Sequence, residues 1–156
     1  MRIRAASKDD LDTIERIETA CFEKDKYNRE ILKLLLVQGD FLTTIAERDD
    51  APIGYATIFR RKGCRSVRLM SIAVLPEQRG TGVADKLMEV VEDLAAETAA
   101  DTLFLEVAET NVTAVSLYLR HGFEISGSLQ DYYGRGRHAF LMSKSLRRDE
   151  PRKAQE

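Results

Sequence analysis

Two glycines stand two positions apart between a predicted strand and a predicted helix, in the segment 79–84 (RGTGVA). Glycine lets the backbone turn tightly and removes side chains that would block a ligand. The N–H groups of the first helical turn then point outward at the positive end of the helix dipole. This arrangement predicts a phosphate-binding loop, here for a pyrophosphate.

Two other kinds of phosphate-binding loop match this segment less well. A triphosphate loop requires Gly-Lys followed by Ser or Thr, whereas Gly82 is followed by Val83. A dinucleotide fingerprint requires a third glycine where Asp85 stands, and it normally opens the first βαβ unit of a parallel sheet. An ordinary strand-to-helix turn that contains glycine is the remaining alternative.

Three polar side chains downstream of the loop could supply chemistry: Glu106, Asn111 and Tyr118. Alternation within LFLEV (103–107) places Glu106 on the face opposite its apolar neighbours. Tyr118 follows Asn111 by two helical turns, so the two share a helix face. A carboxylate can accept a proton and a phenol can donate one. Taken alone, however, a strand-end carboxylate is typically solvated and a helical tyrosine typically packs in the core.

The elements that must position these groups follow from hydrophobic spacing and turn residues. After a strand at 2–6, Ser7 and Asp10 predict a capping box that starts the first helix, and Asn28 predicts the start of a second. The apolar residues assigned to this second helix are Ile31, Leu34, Leu35 and Val37. Further strands are predicted at 41–47, 53–60, 66–75, 102–107, 123–129 and 138–146, and further helices at 82–97 and 111–121.

This order of elements predicts a mixed α+β fold with one βαβ crossover. Short connections favour antiparallel pairing of the strands before residue 76, whereas strand 102–107 is reached through a helix and should run parallel to its neighbour. We expect a single domain over residues 1–146. The polar tail 147–156 has nothing to bury and is expected to be disordered.

Composition limits the classes of function and partner. The 156 residues are 44% hydrophobic and 32% charged, as in a folded domain, and the formal net charge of -2 gives no global field for nucleic acid. Cys21 and Cys64 lack the spacing of metal ligands or of a disulfide framework, so no metal is expected. Without an apolar signal segment or a run of membrane-spanning length, the sequence predicts a cytoplasmic protein without membrane contact.

The loop and its flanks resemble a known family. RGTGVA fits the Arg/Gln-x-x-Gly-x-Gly/Ala signature of the GCN5-related N-acetyltransferase (GNAT) superfamily, and SIAVLP (71–76) resembles that family's fourth strand. LEV (105–107), NVTAVSLY (111–118) and HGF (121–123) resemble its later motif. These segments span the C-terminal two-thirds of the chain in the family's order. The resemblance is to N-terminal acetyltransferases of the ribosomal-protein-alanine type.

The resemblance implies acetyl-CoA as the cosubstrate and a seven-stranded, mostly antiparallel sheet that splays between its fourth and fifth strands. Backbone groups of Ile72, Ala73 and Val74 would pair with the pantetheine arm in that gap, and Asn111 would also reach it. The loop residues implied to hold the pyrophosphate are Arg79, Gly80, Thr81, Gly82, Val83, Ala84 and Asp85.

The resemblance also implies roles in proton transfer. Glu106 would accept the proton of the attacking amine, directly or through water, and Tyr118 would protonate the departing thiolate. Neither Cys21 nor Cys64 falls at a predicted site position. Direct attack in a ternary complex is therefore expected rather than an acetyl-cysteine intermediate.

For the acceptor, the resemblance implies the α-amino group of a protein or peptide N-terminus. DYY (131–133) resembles a segment in which tyrosines hold the substrate, so Tyr132 and Tyr133 are expected to bind it, with Phe22 lining the pocket. Glu23 would add a carboxylate near the pocket, whereas GRGR (134–137) adds arginines, so the cues to the acceptor conflict. A lysine side chain or a small amine stays open as the acceptor, as does a non-catalytic acyl-CoA sensor. A monomer or homodimer is expected.

Overall fold

A seven-stranded sheet forms the centre of the computed structural model, which describes residues 1–146. The predicted tail at 147–156 lies outside the described residues. In spatial order the strands run β1-β2-β3-β4-β5-β7-β6, and every neighbouring pair is antiparallel except β4 and β5. The strands are β1 Arg2–Ala5, β2 Phe41–Arg48, β3 Ala51–Arg60, β4 Ser66–Val74, β5 Thr102–Ala108, β6 Glu124–Leu129 and β7 Ala139–Ser145. This confirms the predicted mixed sheet with one parallel pair.

Four α-helices flank the sheet: α1 Leu11–Cys21, α2 Arg29–Val37, α3 Val83–Ala96 and α4 Val112–Arg120. Short 3₁₀ turns at Lys8–Asp10 and Pro76–Gln78 precede α1 and α3. The capping box of Ser7 and Asp10 is present, and Asn28 Oδ1 accepts the N–H of Ile31 at 2.9 Å. These caps satisfy N–H groups that the helix backbone leaves unpaired. No helix within residues 1–146 combines the length and the apolar character needed to cross a membrane.

The helices cover the two faces of the sheet and form two cores. On one face, α3 and α4 bury Leu87 and Leu117 against Leu103 and Leu105 of β5. On the other face, α1 and α2 pack on β2, β3 and the end of β4. Each fully buried leucine stabilises the fold by about 1.5–3 kcal/mol. The start of β4 and the middle of β5 are thus held rigidly from the α3–α4 side.

The inward face of α2 matches the predicted one only at Leu35. Leu32 and Leu35 are buried, whereas Ile31, Leu34 and Val37 are exposed. Six of the nine residues in REILKLLLV are apolar and the last four are consecutive, so spacing alone does not select a face. Packing against α1 and β2 selects it instead.

The hairpin between β2 and β3 is tighter than predicted. Asp49 and Asp50 both have positive φ, at 54° and 65°, so they form a two-residue turn and β3 begins already at Ala51. Pro52 is accommodated because the pairing of β2 with β3 shifts register between Ala46 and Glu47. A second irregularity lies between β3 and β4, where one residue of β4, Met70, is left without a partner on β3.

The two central strands diverge soon after they meet. The parallel pairing of β4 with β5 covers Ser66↔Thr102, Val67↔Leu103 and Arg68↔Phe104. Beyond these three pairs β4 continues to Val74 without a partner on its β5 side within the described part of the chain. This is the predicted splay, and it leaves one backbone edge open in the middle of the sheet.

Candidate active site

The gap between β4 and β5 opens into a cleft of ≈ 1160 Å³. Its walls come from β4, the loop before α3, β5, α4 and the two loops that follow α1 and β6. Most of the residues predicted for the site line this one cleft. The two exceptions are Thr81, whose hydroxyl donates to the Gln78 carbonyl at 2.6 Å, and Glu23, which is exposed outside the lining.

The glycine loop forms one end of the cleft. Gly80 and Gly82 have φ of 80° and 87°, in the region that favours glycine, and α3 begins directly after them at Val83. No atom lies within 4 Å of the place where a Cβ would stand on either glycine. The backbone angle therefore requires glycine, and the space beside it is open to a ligand. Gly80, Gly82, Val83 and Ala84 all line the cleft.

Asp85 completes the first turn of α3, and its carboxylate is already bound. Arg120 Nη2 and His121 Nε2 lie 2.8 Å and 2.7 Å from Asp85 Oδ1. The hydrogen bonds from Arg120 and then His121 hold the pKa of Asp85 below its usual value. An anionic ligand would therefore meet the backbone N–H groups of this turn beside a carboxylate that is already hydrogen-bonded to Arg120 and His121.

The open edge of β4 gives different roles to the three residues predicted to pair with pantetheine. Leu75 donates its N–H to β3, so strand alternation directs the backbone groups of Ala73 toward β3 as well. Those of Ile72 and Val74 face the cleft. The Val74 carbonyl oxygen lies 3.2 Å from Cys21 Sγ and 3.0 Å from Arg79 Nε, so two side chains already contact it.

Cys21 corrects one expectation, because it lines the cleft although the sequence placed neither cysteine at the site. The residue ends α1, and the fold brings that end against β4, which is 53 residues away in the chain. Burial raises the pKa of the Cys21 thiol above its usual 9.0. A protonated thiol is a weak nucleophile, so the geometry still favours direct transfer over an acetyl-cysteine.

Asn111 precedes α4 on the β5 side of the cleft. Its Oδ1 accepts the N–H of Ala114 at 3.2 Å and so caps the helix. Within residues 1–146 its side-chain NH₂ has no protein partner. That group lies at the cleft wall, where it can donate to a ligand amide or carbonyl.

Glu106 projects into the cleft from β5 and forms an ion pair that the sequence did not indicate. Its side chain is 12% exposed, and its Oε1 accepts from Arg68 Nε at 2.8 Å and lies 2.7 Å from Arg68 Nη2. Arg68 Nη2 also lies 3.2 Å from the hydroxyl of Tyr132. Both contacts use Oε1, so Oε2 has no hydrogen-bond partner among the described residues and is open to an amine or a water.

Tyr118 lies on the α4 side of the same cleft. It is 7% exposed, and its ring meets Phe123 edge to face with centroids 5.8 Å apart. Burial, with a smaller contribution from Tyr133, raises the pKa of Tyr118 above its usual 10.0. Its hydroxyl, without a hydrogen-bond partner in the part of the chain described, therefore stays protonated at neutral pH and can act as a proton donor.

The opposite end of the cleft is aromatic. Tyr132 and Tyr133 meet edge to face with centroids 4.9 Å apart, and Phe22 lies on the same wall. Arg137 Nη1 donates to the Tyr133 carbonyl at 2.5 Å, and its Nη2 bonds Asp25. The loop after α1 and the loop after β6 are thereby joined across the end of the cleft.

A buried carboxylate beneath this end was missed from sequence. Glu18 is 1% exposed and accepts from the Tyr55 hydroxyl at 2.5 Å and from the Tyr27 N–H at 2.8 Å. The Tyr27 hydroxyl donates in turn to the Met70 carbonyl at 3.1 Å. Glu18 thus fixes the loop after α1 on β4. The signal was available, because Glu18 interrupts the inward apolar stripe of α1.

Known proteins support what the geometry indicates. The sequence profile of the acetyltransferase (GNAT) family matches residues 9–123. The chain belongs to this family. It is similar over 92% of its length to an uncharacterized N-acetyltransferase of Methanocaldococcus jannaschii, with 32% identity over 91% of that protein. An N-alpha-acetyltransferase of Saccharolobus solfataricus is 27% identical, with 92% of each chain covered.

Solved structures agree with the fold of this GNAT protein. The ribosomal-protein-S18-alanine N-acetyltransferase from Escherichia coli superimposes with a TM-score of 0.84 at 21% identity, covering 97% of each chain. Arabidopsis thaliana NAA60 in complex with acetyl-CoA gives a TM-score of 0.81 at 21% identity, over 92% of this chain and 97% of that one. The enzyme is an N-acetyltransferase. No group of three or more potential metal-ligating side chains occurs within residues 1–146.

Proposed function

We propose that this enzyme transfers the acetyl group of acetyl-CoA to the α-amino group of a protein or peptide N-terminus, by direct attack in a ternary complex. The carrying observation is that one cleft brings together an open β4 edge with a glycine loop, the pair Glu106 and Tyr118, and an aromatic end at Tyr132 and Tyr133. The similar Saccharolobus solfataricus protein is named for the same class of acceptor.

The residues present fit acetyl-CoA. Ile72 and Val74 offer backbone groups to a pantetheine arm, Asn111 offers its amide, and the first turn of α3 offers N–H groups to the pyrophosphate. The cosubstrate supplies an activated acetyl thioester. The proposed contribution of the chain is to hold that thioester between β4 and β5, near both Glu106 and Tyr118.

Two side chains would move the protons. Glu106 Oε2 would accept the proton that the attacking amine loses, directly or through one water. The Tyr118 hydroxyl, kept protonated by the raised pKa, would donate a proton to the departing thiolate sulfur. Burial of both groups strengthens their electrostatic effect on the reacting atoms.

A thiol-release assay with purified protein and acetyl-CoA tests the acceptor class. Three sets of acceptor are compared: peptides with free N-termini, N-terminally blocked peptides with one lysine, and small polyamines or amino acids. We expect the free N-terminal peptides to give the highest kcat/KM, with the product acetylated on the α-nitrogen by mass spectrometry. Activity only with blocked lysine peptides or small amines would contradict the proposal. Binding of acetyl-CoA without turnover on any amine would favour a sensor.

A further inference from the structure

We propose that the acceptor is an N-terminal segment whose first residue carries a carboxylate, and that Arg68 recognises this carboxylate. The inference rests on the proposed function and deepens it. It addresses the conflict that the sequence left open between an acidic and a basic substrate. The structure removes Glu23 from the cleft and places Arg68 in it.

Arg68 has an unused donor edge. Its Nε and Nη2 are engaged by Glu106 and Tyr132, but Nη1 contacts only the Met70 sulfur among the described residues, at 3.1 Å. A thioether is a weak acceptor, so Nη1 remains available for a stronger one. A carboxylate on the acceptor can pair with it while Glu106 Oε1 keeps its contact with the rest of the guanidinium.

Arg68 also lies where the first residue of a bound acceptor would extend. It lines the main cleft and a second cavity of ≈ 360 Å³ that includes Phe59 and Phe104. Phe104 and Glu106 occupy alternate positions of β5, so both face the same side of the sheet, about 7 Å apart along the strand. An amine held at Glu106 therefore places the adjoining side chain beside Arg68 and Phe104.

The other charged groups at this end differ in how accessible they are to an acceptor, although its formal charges balance: Arg68, Arg137 and Lys26 against Glu18, Asp25 and Glu106. Asp25 is paired with Arg137, and Glu18 accepts from Tyr55 and Tyr27. Lys26 lines the cleft without an ion pair among the described residues. An acidic first residue can approach the open edge of Arg68 and the Lys26 ammonium, whereas a lysine there would meet the same two cations.

The neighbouring hairpin between β3 and β4 carries further cations. Arg61 borders the second cavity, and Lys62 follows it; neither forms an ion pair within residues 1–146. Arg65, also at that cavity, is paired with Asp101. Acidic residues that follow the first one in the acceptor would therefore remain in a favourable field as the chain leaves the site.

The test compares peptides that differ only in their first residue, aspartate against asparagine and glutamate against glutamine. We expect the acidic member of each pair to have the higher kcat/KM, by about ten-fold, the size typical of one charge-assisted hydrogen bond. Arg68→Gln should reduce this ratio to about one, whatever it does to absolute rates, because loss of the cation affects only the acidic peptide's advantage. Arg68→Lys keeps the charge and should retain a preference.

A matched control is Lys33→Gln, which removes from α2 an exposed cation that lies outside the cleft and has no ion pair within residues 1–146. Its ratio should equal that of the unchanged protein. Circular dichroism and acetyl-CoA binding show whether each variant is folded. Equal kcat/KM for acidic and amide peptides, or a preference that survives in Arg68→Gln, overturns the inference alone. Failure of every N-terminal peptide, with turnover of another amine, overturns the proposed function and the inference with it.

Discussion

The two ends of the cleft recognise their proposed ligands by different means. The donor end consists mainly of backbone: the open β4 edge, the glycine loop and the first turn of α3. The acceptor end consists of side chains from distant segments, such as Arg68 with Glu106 and Asp25 with Arg137. Backbone groups are the same in every residue, so the donor end tolerates sequence change wherever the angles are kept.

The acceptor end has no such tolerance. Asp25 and Arg137 are 112 positions apart, and Arg68 and Glu106 are 38 apart, yet each pair forms a direct contact. A single substitution there alters both charge and shape. Within one fold, the donor end can thus stay constant while the acceptor end changes its specificity.

The largest expected effect comes from Glu106→Gln at the centre of the comparison. Removing a general base lowers kcat by roughly 10³-fold, because only the proton-transfer step loses its acceptor. Stopped-flow or steady-state thiol release gives kcat, and calorimetry gives the Kd for acetyl-CoA, which should be unchanged. The matched control is Glu109→Gln, just beyond β5 and outside the cleft lining. Equal losses in turnover and in cofactor binding would contradict a base role.

Tyr118→Phe should have the next largest effect. The ring and its contact with Phe123 remain, so only the hydroxyl proton is lost and kcat falls by roughly 10²-fold. The pre-steady-state rate of acetyl transfer is the appropriate measurement, since product release could mask the change. Unchanged transfer would remove Tyr118 as the acid.

Gly82→Ala tests how far the donor end depends on backbone conformation. Alanine at φ 87° costs about 1–2 kcal/mol of backbone energy, although no atom lies where its Cβ would stand. We expect weaker acetyl-CoA binding with an unchanged preference among acceptor peptides. Gly39→Ala is the control, since Gly39 has equal space and no positive φ. If Gly39→Ala lost as much affinity for acetyl-CoA, the positive φ of Gly82 could not be the cause.

The smallest effect concerns pH and Glu18. Burial raises the pKa of Glu18 above its usual 4.5. Its contribution to folding stability is therefore fully present below pH 4.5 and is lost as pH rises through the raised pKa. The Glu18→Gln variant has no group that titrates at this position. As pH rises through this window, its free energy of unfolding in urea should therefore fall less than that of the unchanged protein. Glu124→Gln, on the exposed side of β6, should show no such trend.

The donor end was largely predictable from the sequence because it depends on local chemistry. Two glycines with positive φ and a following helix are specified by neighbouring residues, and the alternation around Glu106 gave its face correctly. Arg68 was not predicted as a site residue, because its contact with Glu106, 38 residues away, depends on how distant segments are brought together. Cys21 was missed for the same reason.

Hydrophobic spacing also failed to predict the buried face of a helix that is apolar on several sides. The apolar residues of α2 do not define one face, so Leu32 could not be distinguished from Ile31 and Leu34 before α1 and β2 were in place. Tyr27 illustrates a related limit for polar groups, because the contact of its hydroxyl with the Met70 carbonyl depends on how the loop after α1 meets β4.

The short junction of β4 with β5 has a mechanical consequence. Only three residue pairs join the four-stranded part β1–β4 to the part made of β5, β7 and β6, so the two parts share few strand-to-strand hydrogen bonds within residues 1–146. A ligand bound along the open edge would contact both parts and hold them together. Amide exchange in β5 and β7 should then slow when acetyl-CoA is present, by about 2.7 kcal/mol of protection at a hundred times its Kd. In this fold the acetyl donor would also be a removable piece of the sheet.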